Sequence, residues 1–311
     1  MDLFHLNTFI HIAQTGNISQ SAKMLGMSQP TLSRHIAQLE QALGQQLIDR
    51  THRPIQLTAA GSFFYHHAKK NLHELNELIT LTQNFGKSTP NTLNIGFVAS
   101  ILYGLLPDVI TELRTHLPNL DIRLTEVNSD EQTRALKAGE IDVGFGRFLS
   151  SESFIKQIFL RHERLVVALP TQHRLAKKSS VGFKSLIDET LILYHRTPML
   201  LGTGQSFDPL LHLFYERHLS PKHTQKVRDI QIALGLVSAG EGVTIVPMSL
   251  KGIHQEKITY LPFNPDNATS PIYLNTRLGD PNPNITALLT AIQTVYEKQH
   301  ITQTNPQLAN L

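Results

Sequence analysis

Gln29, Pro30, Thr31, Ser33, Arg34, His35 and Gln38 crowd a short stretch in which every side chain can meet a nucleic-acid base edge or a phosphate. Arg is suited to guanine and Gln to adenine, while a Thr methyl or a Pro ring suits the thymine methyl. Pro30 and Ser33 sit at the leading end, where the N-terminus of a helix also favours a phosphate. The chemistry is that of reading double-stranded DNA.

That reading needs elements to hold the polar face outward. Leu32, Ile36, Leu39 and Leu43 recur at helical spacing, so the opposite stripe faces a core. Ala22 and Leu25 supply the facing stripe on a preceding helix, and the small Ala22 lets the two helices cross closely. Gly26 can take the left-handed conformation that ends the first helix. Ser28 is a good N-cap, and Pro30 is tolerated in a first turn, so the second helix starts near Gln29. The layout is a helix-turn-helix, with an ordinary helical hairpin carrying a solvated polar face as the competing account. The residues beyond Gly44 weigh against the hairpin. Two short extended runs, Leu47-Ile48-Asp49 and Ile55-Gln56-Leu57, flank a basic turn. They predict a wing with Arg50, Thr51 and Arg53 at its tip, placed to meet the DNA backbone or minor groove.

Residues 1–60 resemble the winged helix of LysR-type transcriptional regulators. The run Ser19-x-x-Ala22-x-x-Leu25-x-x-Ser28-Gln29-Pro30-x-Leu32-Ser33-Arg34 carries the likeness, continued by Leu39-Glu40-x-x-Leu43-Gly44. Ile48 stands where that family usually has Phe, and either fills a core position.

Composition narrows the remaining classes. A chain of 311 residues holds two or three compact units, and its 41% apolar content is ordinary for a globular protein. With no Cys there are no disulfides and no thiolate metal sites. Neither a signal-like N-terminal run nor an apolar stretch of membrane-spanning length is present, so the expected location is cytoplasmic, with no membrane partner. The net charge of +3 is not concentrated where DNA should bind. Residues 1–60 hold four Lys/Arg (Lys23, Arg34, Arg50, Arg53) against three acids (Asp2, Glu40, Asp49), a balance of +1. Few phosphate contacts per protomer are then expected, and affinity must come from several half-sites held together. Sixteen His are many, and His66-His67 comes nearest to a metal site. Neighbours on a helix point about 100° apart, so solvated histidines are expected instead, with no metal and no cofactor.

Thr58 caps a long helix expected from Ala59 to Phe85, whose 27 residues would span roughly 40 Å. Tyr65, Ala68, Leu72, Leu75, Ile79 and Thr82 fall at alternating three and four spacing, widened by Phe64, Leu78 and Phe85. This looks like a two-helix seam through which the chain dimerises with itself, as the linker does in the LysR-type family. A helix packed only on its own domain is the alternative. Residues 86–91 are a hinge by composition. Beyond it strands and helices alternate: strands at 93–98, 121–127, 141–145, 165–169, 191–194, 243–246 and 272–277, with helices at 102–116, 131–138, 207–217, 229–239 and 284–299. Alternation of this kind implies an α/β unit of parallel sheets with helices on both faces. The expected organisation is a winged helix-turn-helix over 1–58 and a linker helix over 59–89. Beyond them lies a two-lobed, periplasmic-binding-protein-like effector domain, with lobe I at 90–161 and 268–301 and lobe II at 162–267. Residues 302–311 form a polar tail.

Within the LysR-type family, residues 92–300 are similar to the benzoate- and muconate-responsive regulators of aromatic catabolism. The likeness rests on Gly96 to Pro107, Asp142 to Arg147, and Ile232 to Gly242. The resemblance implies a small-molecule anionic effector, a dimer and a further pairing into a tetramer, with RNA polymerase as an additional partner. The residues agree with an anion. Ser100 and Ser129 each come just after a strand and begin a helix, so hydroxyl and N–H groups face a cleft at the strands' carboxyl ends. Simple helix capping is the alternative for both. Arg147 ends the Asp142-Val143-Gly144-Phe145-Gly146 run and can offer a bidentate fork to a carboxylate, or else bridge the lobes. Phe97, Ile101 and Leu102 are expected to receive a ring or alkene. One departure stands out. That branch carries a short Pro-Asn-Phe segment near the ligand, whereas residues 195–207 here are longer and lack it. Gly204, Gln205 and Ser206 fall in its place, able to donate backbone N–H groups, and the change points to a pocket reshaped for a different acid.

Other classes fare worse. No nucleophile with a base and orienter, no phosphate loop and no catalytic residue is recognisable, so an enzyme is not expected. A solute-binding protein would not carry a winged helix, and an architectural DNA protein would be more basic at its N-terminus. A LysR-type regulator of unrelated genes with a non-aromatic effector remains the alternative within the family.

Overall fold

The computed structural model describes residues 3–52, 54–84, 91–150, 152–194, 199–200, 206–264 and 268–301. Two compact units divide the chain between Gln83 and Asn84.

The first unit runs α1 (Leu3–Thr15), α2 (Ile18–Met24), α3 (Gln29–Leu43), β1 (Ile48–Asp49), β2 (Gln56–Leu57) and α4 (Ala59–Asn84). Its boundaries are set by local chemistry. Asn17 Oδ1 accepts the Gln20 N–H at 3.1 Å to open α2, and Gly26 takes φ +64° just after it. Ser28 Oγ accepts the Thr31 N–H to open α3, and Gly44 closes it at φ +65°. Phe9, Ile12, Ala22, Leu32, Ile36 and Leu39 bury one core between the three helices. Leu43, expected in that stripe, lies at the surface. The two strands pair antiparallel, Ile48 with Leu57 and Asp49 with Gln56, giving the expected wing. Glu40 fixes its base by accepting the N–H groups of Leu47 and Ile48 at 2.9 and 3.1 Å. Thr58 Oγ1 then accepts the Gly61 N–H to start α4. The long helix ends within a residue of expectation, but its apolar stripe divides. Phe64, Tyr65 and Ala68 pack on or into this unit, while Leu78 and Ile79 are exposed; Phe85 lies outside the described residues.

The second unit is a mixed α/β fold. It begins β3 (Thr92–Phe97), α5 (Ala99–Leu102), α6 (Leu106–His116), β4 (Asp121–Glu126), α7 (Ser129–Ala138), β5 (Val143–Gly146) and β6 (Ile155–Pro170). It continues β7 (Val181–Gly182), α8 (Phe183–Leu186), β8 (Thr190–Tyr194), β9 (Met199–Leu200), β10 (Ser206–Phe207), α9 (Pro209–Tyr215), β11 (His223–Val227) and α10 (Ile230–Ser238). It closes with β12 (Thr244–Pro247), β13 (Ile258–Asn264), β14 (Thr269–Arg277) and α11 (Pro283–Lys298). The main sheet has the order β4-β3-β5-β14-β6-β13-β7, with β12 also on β6.

The expectation of wholly parallel sheets is corrected. β3 runs parallel to β4 and β5, but β14 pairs antiparallel with β5 and β6, and β6 pairs antiparallel with β12 and β13. Strand direction is set by the path of the whole chain and leaves no mark in local alternation. β6 joins the two halves: residues up to Arg164 pair with β14, and those from Leu165 pair with β12 and β13. One core gathers Leu93, Ile95, Leu113, Leu274, Leu288 and Ile292, so β14 and α11 do return to the first half. The other half has its own apolar clusters around Leu191, Phe214 and Ile245, and around Ile192, Leu234 and Val246. The helix expected at 102–116 starts only at Leu106, with Pro107 in its first turn, and the separate one-turn α5 ends at Leu102.

Candidate functional sites

On the first unit, Gln29, Pro30, Thr31, Arg34 and Gln38 stand exposed on α3 as expected. Ser33 is half-buried. His35 is too, its ring packed edge-on against Phe4 and His5, each centroid at 5.1 Å. Two of the base-reading candidates are already held: Gln29 Oε1 accepts from Ser19 at 3.1 Å, and Gln38 Oε1 lies 3.0 Å from His5 Nε2. Such contacts fix the direction of both side chains. In the wing, Arg50 leans 3.5 Å from Glu40. Thr51 folds back on Asp49 through both hydroxyl and N–H. Those two bonds, with His52 beside them, hold the Asp49 carboxyl below its ordinary range. Arg53 lies outside the described residues.

On the second unit a cavity of about 320 Å³ opens between the two halves, at the C-terminal ends of β3, β4 and β5. Ser100, Ser129 and Arg147 all line it. They are brought together because β3 and β5 are neighbours, each ending at the same edge. Neither serine caps its helix; the N-cap positions are Val98 and Asn128, and neither makes a side-chain capping bond. Instead both serve Arg147. Ser129 Oγ accepts the Arg147 backbone N–H at 3.3 Å, and Ser100 Oγ accepts from Arg147 Nε at 2.8 Å. The guanidinium is 8% exposed and donates through Nη2 to Glu163 Oε2 at 2.6 Å.

This corrects the expectation of a free fork. One side of the guanidinium is taken by Glu163, so it is neither an unengaged clamp nor a spent ion pair. Its remaining Nη1 is buried with no hydrogen-bond partner. An orphaned guanidinium N–H in a dry site is costly, and a ligand oxygen would relieve it. Burial by itself raises the Glu163 carboxyl, but the Arg147 charge, bonds from Arg147 and the Ser249 N–H, and Arg161 outweigh it and hold the group below the ordinary range.

The three apolar residues expected to receive the ligand do not line the cavity. Ile101 is buried in the first-half core, and Leu102 is 38% exposed; neither lines the cavity. Phe97 is likewise absorbed by the core. The one-turn α5 turns Ile101 and Leu102 away from the cleft while leaving Ser100 in it. The apolar wall is supplied by Val98, Phe148, Leu165, Leu210, Leu213 and Ile230, mostly from the second half. Gly204 and Gln205 lie outside the described residues. Ser206 falls in β10, antiparallel to β9 opposite Leu200, and the helix after it starts at Pro209 with Asp208 as its cap. Glu163 and the second-half wall escaped the sequence reading, because a carboxylate inside a long strand carries no local signal of the guanidinium it will meet.

The fold, the exposed helix face and the cleft define a DNA-binding regulator built with a ligand-binding domain, and the chain belongs to the LysR family of transcriptional regulators. Residues 3–62 match the bacterial regulatory helix-turn-helix protein, lysR family, and residues 86–297 match the LysR substrate binding domain. Among individual proteins, it is similar to the HTH-type transcriptional regulator BenM of Acinetobacter baylyi, 38% identical over 305 residues that cover 97% of this chain and 99% of that one. A solved BenM effector binding domain with its effector benzoate is 38% identical and has a TM-score of 0.63, covering 71% of this chain and 98% of that one. Full-length CbnR complexed with its target DNA is 27% identical with a TM-score of 0.57, covering 95% of this chain and 100% of that one.

Proposed function

We propose that this regulator binds its operator through α3 and the wing, and that the cavity beside Arg147 takes a small organic anion that controls catabolic genes. An aromatic acid or a muconate-like dicarboxylate is the effector class. The observation that carries the reading is Arg147, which lines the cavity together with Ser100 and Ser129 and whose buried Nη1 has no hydrogen-bond partner. The base-reading set is Gln29, Pro30, Thr31, Ser33, Arg34, His35 and Gln38, with Arg50, Thr51 and Arg53 on the backbone. Ser100, Ser129 and Arg147 hold the carboxylate, aided by backbone N–H groups of residues 204–206. BenM, a relative of nearly equal length, is a transcriptional regulator whose effector domain has been solved with benzoate, and this supports the same class here.

In this reading the chain performs no catalysis and works in the cytoplasm. The described residues contain no helix long and apolar enough to cross a membrane. The exposed Leu78 and Ile79 of α4 are where a second copy would pack, making a dimer that pairs into a tetramer and acts on RNA polymerase. The proposed division is 1–58, 59–89, lobe I at 90–161 and 268–301, lobe II at 162–267, and a tail at 302–311.

The test is a thermal-shift panel of benzoate, hydroxybenzoates, cinnamates and cis,cis-muconate on the wild type and on Ser100→Ala. Stabilisation by one acid that is lost in the variant supports both the effector class and the cleft. No shift with any acid refutes the aromatic effector and leaves a regulator of unrelated genes.

A further inference from the structure

The cavity carries polar groups that the carboxylate anchor leaves unused. His212, on α9, lines it, and its Nε2 lies 3.3 Å from Glu216 Oε1 one turn further on. In the neutral imidazole, a proton on Nε2 facing the carboxylate leaves Nδ1 as an acceptor. Among the described residues nothing donates to that Nδ1. The charge around it is decisive. Arg147 and Arg228 line the cavity against Glu126, Glu216 and Asp229, and Arg147 is already shared with Glu163. Three carboxylates thus line it, Glu216 also lying 3.6 Å from Arg217 Nη1.

One ligand carboxylate can be met by the spare Arg147 Nη1. A second anionic group would meet the carboxylates of Glu126, Glu216 and Asp229, where like charges oppose it. A neutral hydroxyl adds no charge and donates the proton that His212 Nδ1 lacks. We infer that the effector is a hydroxylated aromatic acid. Its carboxylate lies at Ser100, Ser129 and Arg147, its ring between walls such as Val98, Leu165, Leu213 and Ile230, and its hydroxyl on His212. Glu216 holds the imidazole in the accepting tautomer, and His212 sets specificity among acids. The inference rests on the proposed role of the cleft as a site for a small acid, and narrows that acid to a phenolic one.

Calorimetric titration of the full chain with benzoate, 3- and 4-hydroxybenzoate and cis,cis-muconate at neutral pH tests it. In the wild type one hydroxybenzoate should bind about fivefold tighter than benzoate, the value of one hydrogen bond to a neutral group. Muconate should bind more weakly than either. His212→Leu should bring the hydroxybenzoate-to-benzoate ratio to near one, and His212→Gln, which keeps an acceptor, should retain part of it. Ser100→Ala should weaken both acids by the same factor and leave the ratio intact. A wild type that binds benzoate as tightly as both hydroxybenzoates, or muconate tighter than all, overturns the inference while the acid-effector reading stands. So does a ratio that survives His212→Leu. Failure of every acid to bind overturns both. If His212→Leu does not fold, the wild-type ratio and His212→Gln decide the matter.

Discussion

Gln132 supports the cleft from behind, and a double-mutant cycle with Gly144 tests how. Its side chain is 1% exposed. Nε2 donates to the carbonyls of Val127 at 3.2 Å and Phe145 at 2.9 Å, and Oε1 accepts from Asn275 Nδ2 at 3.1 Å. Gln132→Ala leaves the Val127 carbonyl and the Asn275 amide N–H without partners in a buried site, and leaves the Phe145 carbonyl with only the Val98 N–H, at 3.2 Å. At about 1 kcal/mol each, with a cavity added, the cost is roughly 3–4 kcal/mol. A Cβ built on Gly144 would lie 2.6 Å from Gln132 Oε1 and 3.0 Å from Cδ. Gly144→Ala must therefore push the carboxamide off its three partners, at about 2–3 kcal/mol. In the Gln132→Ala background the same methyl enters vacated space and should cost almost nothing. The double variant is then about as stable as Gln132→Ala alone, with a coupling of roughly −2 kcal/mol. Differential scanning calorimetry reads this as a fall of about 6–16 °C in the effector-domain transition for Gln132→Ala, with little further change on adding Gly144→Ala. Costs that simply add, to within about 0.5 kcal/mol, would refute the claim that the glycine exists to seat this amide.

Three further outcomes rest on other contacts in the two units. Arg34→Ala should weaken operator binding by about 1–3 kcal/mol and relax sequence preference, read by fluorescence anisotropy; unchanged affinity removes Arg34 from the base contacts. Gly61→Ala should lower the stability of the winged unit by about 1–3 kcal/mol or more, because its Cβ would collide with the Leu47 carbonyl oxygen, backbone against backbone; wild-type melting refutes that packing. Glu163 has a native pKa held below the ordinary value of 4.5, so its contribution is present above that value and is lost as pH falls through the lowered one. Glu163→Gln should therefore flatten the loss of effector-domain stability below about pH 4.5, and an acid limb as steep as the wild type's contradicts this.

The helix-turn-helix was legible because everything that defines it is local. Ser28, Pro30, Gly26 and Gly44 act within one turn of themselves, and Leu32, Ile36 and Leu39 repeat at one period. β6 shows the opposite case. Only its apolar end from Leu165 reads as a strand; Lys156, Gln157, Arg161, Glu163 and Arg164 mask the rest, and its partner β14 lies far along the chain. β11, His-Thr-Gln-Lys-Val, is largely exposed and offers no alternation to detect. The cleft was half legible for the same reason. Ser100, Ser129 and Arg147 sit at ends of elements that sequence can locate. Glu163 on β6 reaches Arg147 only through the sheet, and His212 on α9 lines the same cavity only once the chain has folded.

On the proposed reading, the low charge of the N-terminal unit and the half-engaged Arg147 belong to one design. A balance of +1 over residues 1–60 allows few phosphate contacts per copy, so one copy alone binds weakly. Occupancy then depends on several copies meeting several half-sites at once, and such avidity is lost when their spacing no longer fits. A strongly basic unit would bind wherever it landed and would be insensitive to spacing. Effector control therefore needs only a modest free-energy difference between two arrangements of the assembly. Arg147 can supply it: its Nη1 is unsatisfied without a ligand and satisfied with one, while Nε and Nη2 tie it to Ser100 and to Glu163 on β6, the strand that serves both halves.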